Sequence, residues 1–172
     1  MKTIHEKQYK IYTDGACSGN PGKGAWAAII VSPDGKRKEF FRAYAHTTNN
    51  RMELRAVIES LQTLRADSQA VVVTDSQYVA NAINRGWLQS WIRKHWRTSQ
   101  KKLVANRDLW EALQPLLEKH QVAFEWVKGH EGHPENERCD ELAVQGYTKG
   151  PWIADEGYES TISTTEGQTT LL

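Results

Sequence analysis

Four carboxylates, Asp14, Glu53, Asp75 and Asp140, occupy places where the local pattern gives an acid more to do than meet solvent. Most acids are surface charges, so position must discriminate among them. On a helical wheel at about 100° per residue, Glu53 lies about 40° from Val57 and borders an apolar stripe, whereas Glu59 points to the far side. Asp140 lies about 60° from Ala143 on the same wheel, and Glu141 falls on the opposite face. Two helices each aim one acid inward. Asp14 and Asp75 each terminate a β-rich run, YKIYTD and AVVVTD, at the edge of an open sheet where ligand sites form. Taken singly, either Asp is explained by capping a turn or a helix. Capping does not explain four acids converging on one sheet edge. Like charges buried together must raise their pKa values or be neutralised by a cation. Hard oxygen ligands suit Mg²⁺, with Mn²⁺ as a substitute, and the chain lacks the Cys/His spacing of a zinc site.

The elements that must position these acids are readable in outline. Residues 9–14, 25–32 and 38–45 read as strands, with Pro33-Asp34-Gly35 turning the hairpin between the second and third. Asn49 to Ala66 carries Leu54, Val57, Ile58, Leu61 and Leu64 at helical spacing. Ala70 to Thr74 is a β-branched run that reads as a buried parallel strand. Gln77 to Asn84, the Trp-rich stretch after it, and Asp108 to His120 read as helical, and Val122 to Val127 alternates like a strand. Pro134 to Tyr147 forms the last helix, with Pro134 in its first turn and Cys139, Leu142, Ala143, Gly146 and Tyr147 on its apolar face. Hairpins followed by helix-strand alternation predict an α/β fold with a mixed sheet and helices on its faces.

Composition bounds the function classes. Hydrophobic residues at 39% and charged residues at 25% are the balance of a soluble globular chain, and no run approaches the roughly 20 apolar residues of a membrane helix. Residues 1–8 lack the apolar core of a secretory signal, so the expected location is cytoplasmic. Cys17 and Cys139 are then expected as free, small, partly buried thiols. The net charge of +1 conceals an uneven distribution. From Pro151 onward there are four acids and no Lys or Arg, which leaves +5 on residues 1–150. Residues 151–172 read as an acidic, Thr/Ser-rich, disordered tail beyond a single 1–150 domain. Within that domain Arg85, Arg93, Lys94, Arg97, Lys101, Lys102 and Arg107 form a segment without acids, which suits a polyanion.

From Tyr9 to Gly150 the chain resembles bacterial ribonuclease H of type 1. The resemblance rests on YTDG with GNPG (12–15, 19–22), TTNNRMEL (47–54), TDSQYV (74–79), and WVKGH with HPENERCD (126–130, 133–140), in that order. It implies a five-stranded mixed sheet of order 3-2-1-4-5, strand 2 antiparallel, with helices on both faces. It implies that Asp14, Glu53, Asp75 and Asp140 hold two Mg²⁺ ions about 4 Å apart for in-line displacement. The substrate would be the RNA strand of an RNA–DNA hybrid, leaving 3′-hydroxyl and 5′-phosphate ends. His130 resembles the family's histidine on a mobile loop that passes protons or assists product release. Without that context it reads as an ordinary surface histidine, as do His46, His95, His120 and His133.

The resemblance also implies a substrate surface. Asn20, Asn49 and Gln77 would contact the minor groove, Gly15 and Cys17 would lie near the RNA strand, and Thr48 with Asn20 would hold a DNA phosphate. Amide side chains both donate and accept, which suits a 2′-hydroxyl; helix capping is a second reading for Asn49. Trp87 to Lys102 resembles the family's basic protrusion, whose tryptophans mainly pack while Arg93, Lys94, Arg97, Lys101 and Lys102 meet phosphates; Trp87 belongs to the same surface. Two departures alter its shape: His95 stands where the family often has Gly, and the spacing around Arg85-Gly86 is one residue longer. A monomer without an obligate protein partner or membrane contact is expected. The alternative function is a non-catalytic module that binds hybrid or double-stranded RNA on the same fold.

Overall fold

The computed structural model describes residues 7–161. Three antiparallel strands come first: β1 (Tyr9–Ser18), β2 (Gly22–Val31) and β3 (Arg37–Thr47). Then follow α1 (Asn49–Thr63), β4 (Gln69–Thr74), α2 (Gln77–Asn84), α3 (Trp87–Arg93), α4 (Arg107–Lys119), β5 (Gln121–Trp126), α5 (Pro134–Lys149) and β6 (Trp152–Ile153). The sheet order is β5-β4-β1-β2-β3-β6. The 3-2-1-4-5 arrangement is present, with β2 antiparallel to both neighbours and β4 and β5 parallel to β1. The strand count is six rather than five, because β6 adds a two-residue parallel pairing, Ala43 with Trp152 and Tyr44 with Ile153, to the outer edge of β3.

Burial explains the layering. Residues Gly24 to Ile30 of β2 are buried without alternation, which requires cover on both faces. On one face Leu54, Val57 and Leu61 of α1 join Val79 of α2, Leu88 of α3, and Leu109, Trp110 and Leu113 of α4 in the main core. On the other, Cys139, Leu142 and Ala143 of α5 pack on Ala27 and Ile29. Each fully buried aliphatic side chain here contributes about 1.5–3 kcal/mol. Tyr147, expected on that apolar face, is only half-buried.

The tail differs from expectation. Sequence reading ends the packed body at Gly150; the structure carries it through β6 and a helical turn over 156–161, and the expected disorder of 162–172 lies outside the described residues. The anchor is Asp155, which is fully buried. It accepts hydrogen bonds from Thr47 Oγ1 at 2.7 Å, Arg51 Nε and Nη2 at 2.7 and 2.9 Å, and Arg55 Nη2 at 2.9 Å. Arg51, itself buried, also pairs through both Nη atoms with Asp108 at the start of α4. His120, read as a surface residue, is buried as well; its Nδ1 accepts the Ser68 N–H at 3.2 Å and so satisfies the backbone leading into β4.

The basic segment is helical only over Trp87–Arg93. Beyond it the chain turns tightly, with the Trp96 N–H reaching the Trp91 carbonyl and a lone bridge between Arg97 and Leu103. Trp96 is buried and Trp91 stacks edge-on to Trp110 at 5.4 Å, whereas Trp87 is 38% exposed. His95 and Trp96 both take left-handed backbone angles, φ 52° and 62°, so the position where the family often has glycine does require a conformation that suits glycine. Replacing exposed His95 by Gly is expected to stabilise the protein by about 1 kcal/mol. Urea denaturation of the two proteins measures this, and a destabilised His95→Gly would show that the ring makes compensating contacts.

Candidate active site

Asp14 does not end its strand. The parallel ladder between β1 and β4 stops at Thr13 with Thr74, but β1 runs on beside β2 to Ser18. Asp14 and Asp75 are therefore the next residues on adjacent parallel strands, at the point where the sheet splits. Asp75 directly follows the last residue of β4, and the N-cap of α2 is Ser76, whose hydroxyl accepts from the Val79 N–H. Neither Asp is a helix cap. On α1 the N-cap is Thr48, accepting from the Arg51 N–H at 3.3 Å, so Asn49 is the first helical residue rather than the cap.

Gly15 explains how Glu53 joins them. A side chain at Gly15 would be driven into the backbone of Met52 and Glu53, so β1 and α1 touch there with nothing between. That contact puts Asp14 beside Glu53. Ligand oxygens of Asp14, Glu53 and Asp75 all lie within 4.8 Å of one another. Asp140 lines the same open cleft from α5 without belonging to this close trio, although its charge acts on both Asp14 and Asp75.

The electrostatics follow from crowding. Burial, then the neighbouring Asp75, push the Asp14 carboxyl up to about 8. Glu53 lies well above the ordinary carboxylate range for the same reasons, burial first and the Asp14 charge second. Burial also raises Asp75, with Asp140 adding to it and the cationic form of His130 opposing it. Glu53 Oε2 is buried and has no hydrogen-bond partner. An orphaned carboxylate oxygen, two carboxylates within reach and a deficit of positive charge fit a hard divalent cation.

Of the other expected residues, Gly15, Cys17, Asn49, Gln77 and His130 line this cleft. His130 is exposed on the loop between β5 and α5 and carries a left-handed φ of 60°. The Cys17 thiol is pushed up to about 11, chiefly by burial, so it faces the cleft as a neutral group. Asn20 stands behind: its Oδ1 accepts the Asn49 N–H at 3.1 Å, which leaves its amide N–H groups to donate. Arg93, Lys94, Arg97, Lys101 and Lys102 are exposed on the separate protrusion, without an acidic partner among the described residues. Trp87, Lys94 and Arg97 line a small depression there. Arg107, counted with the basic segment, is instead paired with Glu111 at 2.6 Å. Sequence reasoning missed Tyr78, which lines the cleft and whose hydroxyl accepts from Trp110 Nε1 and Asn106 Nδ2.

An acidic cluster where a mixed sheet splits, together with a basic segment whose cations are exposed, is the layout of a metal-dependent hydrolase acting on a polyanion. The RNase H family model matches residues 6–148, and the chain belongs to that family. A ribonuclease H of Nitratidesulfovibrio vulgaris (strain Miyazaki F) is 53% identical over 152 residues, 88% of this chain and 97% of the relative. A ribonuclease H of Escherichia coli O9:H4 is 49% identical over 153 residues, 89% and 97% of the two chains. Among solved structures, LC9-RNase H1, described as a type 1 RNase H with the type 2 active-site motif, superposes with a TM-score of 0.75 at 29% identity, covering 92% of this chain and 82% of that one. No helix among the described residues is long and apolar enough to cross a membrane.

Proposed function

We propose that this chain hydrolyses the RNA strand of RNA–DNA hybrids, with Asp14, Glu53, Asp75 and Asp140 as ligands for Mg²⁺ and with 3′-hydroxyl and 5′-phosphate products. The observation that carries the reading is the carboxylate trio within 4.8 Å, two of its members buried, in a chain of the RNase H family. Two divalent cations, when bound, would stabilise the attacking and departing oxygens of an in-line displacement. The chain's residues do the rest. The four carboxylates would hold those cations and through them set where the scissile phosphate sits, and His130, exposed on the cleft lining, is placed to take or give a proton as product leaves. Asn49 and Gln77 offer the paired donor and acceptor that a ribose 2′-hydroxyl needs, while Gly15 and Cys17 line the same cleft beside the RNA strand. Asn20 and Thr48 are assigned to a DNA phosphate. Trp87, Arg93, Lys94, Arg97, Lys101 and Lys102 extend the contact along the duplex, which makes binding fall with salt.

Incubation with labelled hybrid, duplex RNA and duplex DNA, with Mg²⁺ and with chelator, tests this reading. Hybrid alone is expected to be cut, in the RNA strand and only with metal. Cleavage of duplex DNA, or of hybrid in chelator, would overturn it. Binding of hybrid without cleavage would establish the non-catalytic module instead. His130→Ala is expected to lower kcat about 10²-fold while Mg²⁺ affinity, measured by calorimetry, stays at the wild-type value. Unchanged turnover would remove His130 from the mechanism.

A further inference from the structure

Asp75 is the most open of the three clustered carboxylates, and the loop that carries His130 meets it or the residue before it at three points. β5 ends where Trp126 pairs with Thr74. One residue on, the Val127 N–H donates to the Thr74 carbonyl at 2.9 Å. The Trp126 indole N–H donates to the Asp75 carbonyl at 3.0 Å, although the residue is 42% exposed. An exposed indole is a poor core residue, yet its N–H holds the backbone of a site residue. Gly129 supplies the third contact. A Cβ built there would lie 2.9 Å from Asp75 Oδ2 and 3.7 Å from its Cβ and Cγ, and no other residue is closer. Gly129 has no left-handed φ, so its backbone accepts a side chain, and the nearest atoms that a Cβ would meet are those of Asp75, whose carboxylate would have to shift. The next residue, His130, has the left-handed angle, which marks the loop as locally strained beside the site.

We propose that Gly129 and Trp126 are positioning residues for Asp75, so that the His130 loop sets the carboxylate's geometry for metal as well as presenting the histidine. Trp126 fixes the Asp75 backbone and Gly129 leaves the space in which Oδ2 sits. Outer contacts of this kind govern the orientation of a ligating carboxylate. Moving the loop away would loosen one wall of the metal site at the same time. The inference rests on the metal-site reading above and goes beyond it by making Asp75 geometry depend on the loop.

The test is Mg²⁺ titration by calorimetry without substrate, together with kcat and KM on hybrid, for wild type, Gly129→Ala, Trp126→Phe and Gly132→Ala. Gly129→Ala is expected to weaken Mg²⁺ binding and lower kcat about tenfold each, with KM for hybrid unchanged. Trp126→Phe keeps an aromatic ring, though a smaller one, and loses the N–H, and is expected to weaken Mg²⁺ binding about fivefold. Gly132, at φ 76° with nothing within 4 Å of a built Cβ, strains the loop without touching Asp75. Its alanine variant is expected to bind Mg²⁺ as wild type does. Wild-type affinity in both Gly129→Ala and Trp126→Phe, or an equal loss in Gly132→Ala, would overturn the positioning role and leave the metal site standing. Absence of Mg²⁺ binding by wild type would overturn both. If Gly129→Ala does not fold, Trp126→Phe against Gly132→Ala decides alone.

Discussion

Asp14→Asn is expected to cut hydrolysis of hybrid by about 10³-fold, about 4 kcal/mol of lost transition-state stabilisation, and at the same time to stabilise the metal-free protein. The two effects have one cause. Asp14 is buried among Glu53, Asp75 and Asp140, and its carboxyl is pushed up to about 8. An acid whose pKa is raised by folding holds its proton more tightly folded than unfolded. Its stabilising contribution is complete below an unfolded value of about 4 and is lost as pH rises from there towards about 8. Glu53 and Asp75 move the same way. In chelator, wild type should therefore lose stability between about pH 5 and about pH 8. Removing one charge should flatten that loss and leave Asp14→Asn more stable at about pH 8 by about 1–3 kcal/mol. Mg²⁺ should raise the wild-type Tm there and raise that of the variant much less. Urea denaturation in chelator at both pH values, beside a hybrid-cleavage assay, measures all of this. A variant less stable than wild type at the higher pH would show that the carboxylates are not repelling one another, and retained cleavage would remove Asp14 from the ligand set.

How far the site was legible in the sequence depended on what each residue obeys. Glu53 and Asp140 follow helical phase, so a wheel places them at the border of a buried stripe, and the structure agrees for Glu53 (8% exposed) and for the half-buried Asp140. Asp75 follows strand length. Asp14 was misplaced as a strand end because its strand loses one partner there and keeps the other, which a linear pattern does not encode. Gly129 was legible only as a member of the WVKGH motif, since its approach to Asp75 brings together the chain after β5 and the chain after β4 and appears only once both strands are folded. The protrusion was recognised by charge, but its shape comes from consecutive left-handed residues at His95 and Trp96, a choice made by packing of Trp96. β6 carried no signal because two residues have no period. Asp155 was hidden among acids of a polar tail. One clue existed: Arg51 lies about 60° from Leu54 on the α1 wheel, a cation turned towards the apolar stripe that called for a buried acid.

That hidden acid governs the other large effect. Asp155→Asn is expected to destabilise the protein by about 3–5 kcal/mol, because Arg51 and Arg55 then face a buried neutral group. For a chain of this size the loss lowers Tm by on the order of 10 °C. Asp155 is fully buried under Thr47, Arg51 and Arg55, and these partners hold its carboxyl down at about 2 against the effect of burial. Asp108 pairs with the same Arg51 guanidinium, yet its side chain is 47% exposed, so Asp108→Asn should cost only about 1 kcal/mol. The pH signs separate the two clusters. An acid whose pKa is lowered by folding stabilises above its unfolded value, and that stability is lost as pH falls from about 4 to about 2. The acid limb of the metal-free stability curve thus comes mainly from Asp155, with Asp108 lowered alongside it, and the limb between about pH 5 and about pH 8 comes from the carboxylate trio. Asp155→Asn should flatten the first and keep the second; Asp14→Asn should do the reverse. Removing residues 151–172 should cost at least as much as Asp155→Asn, since Arg51 would also lose the chain that shields it. Wild-type stability in Asp155→Asn, or an unaltered acid limb, would mean that β6 and the following turn are not held by this charge. Because Arg51 lies on the same helix as Glu53, two residues ahead of it, the ion network ties the helix that carries Glu53 to the chain after Gly150.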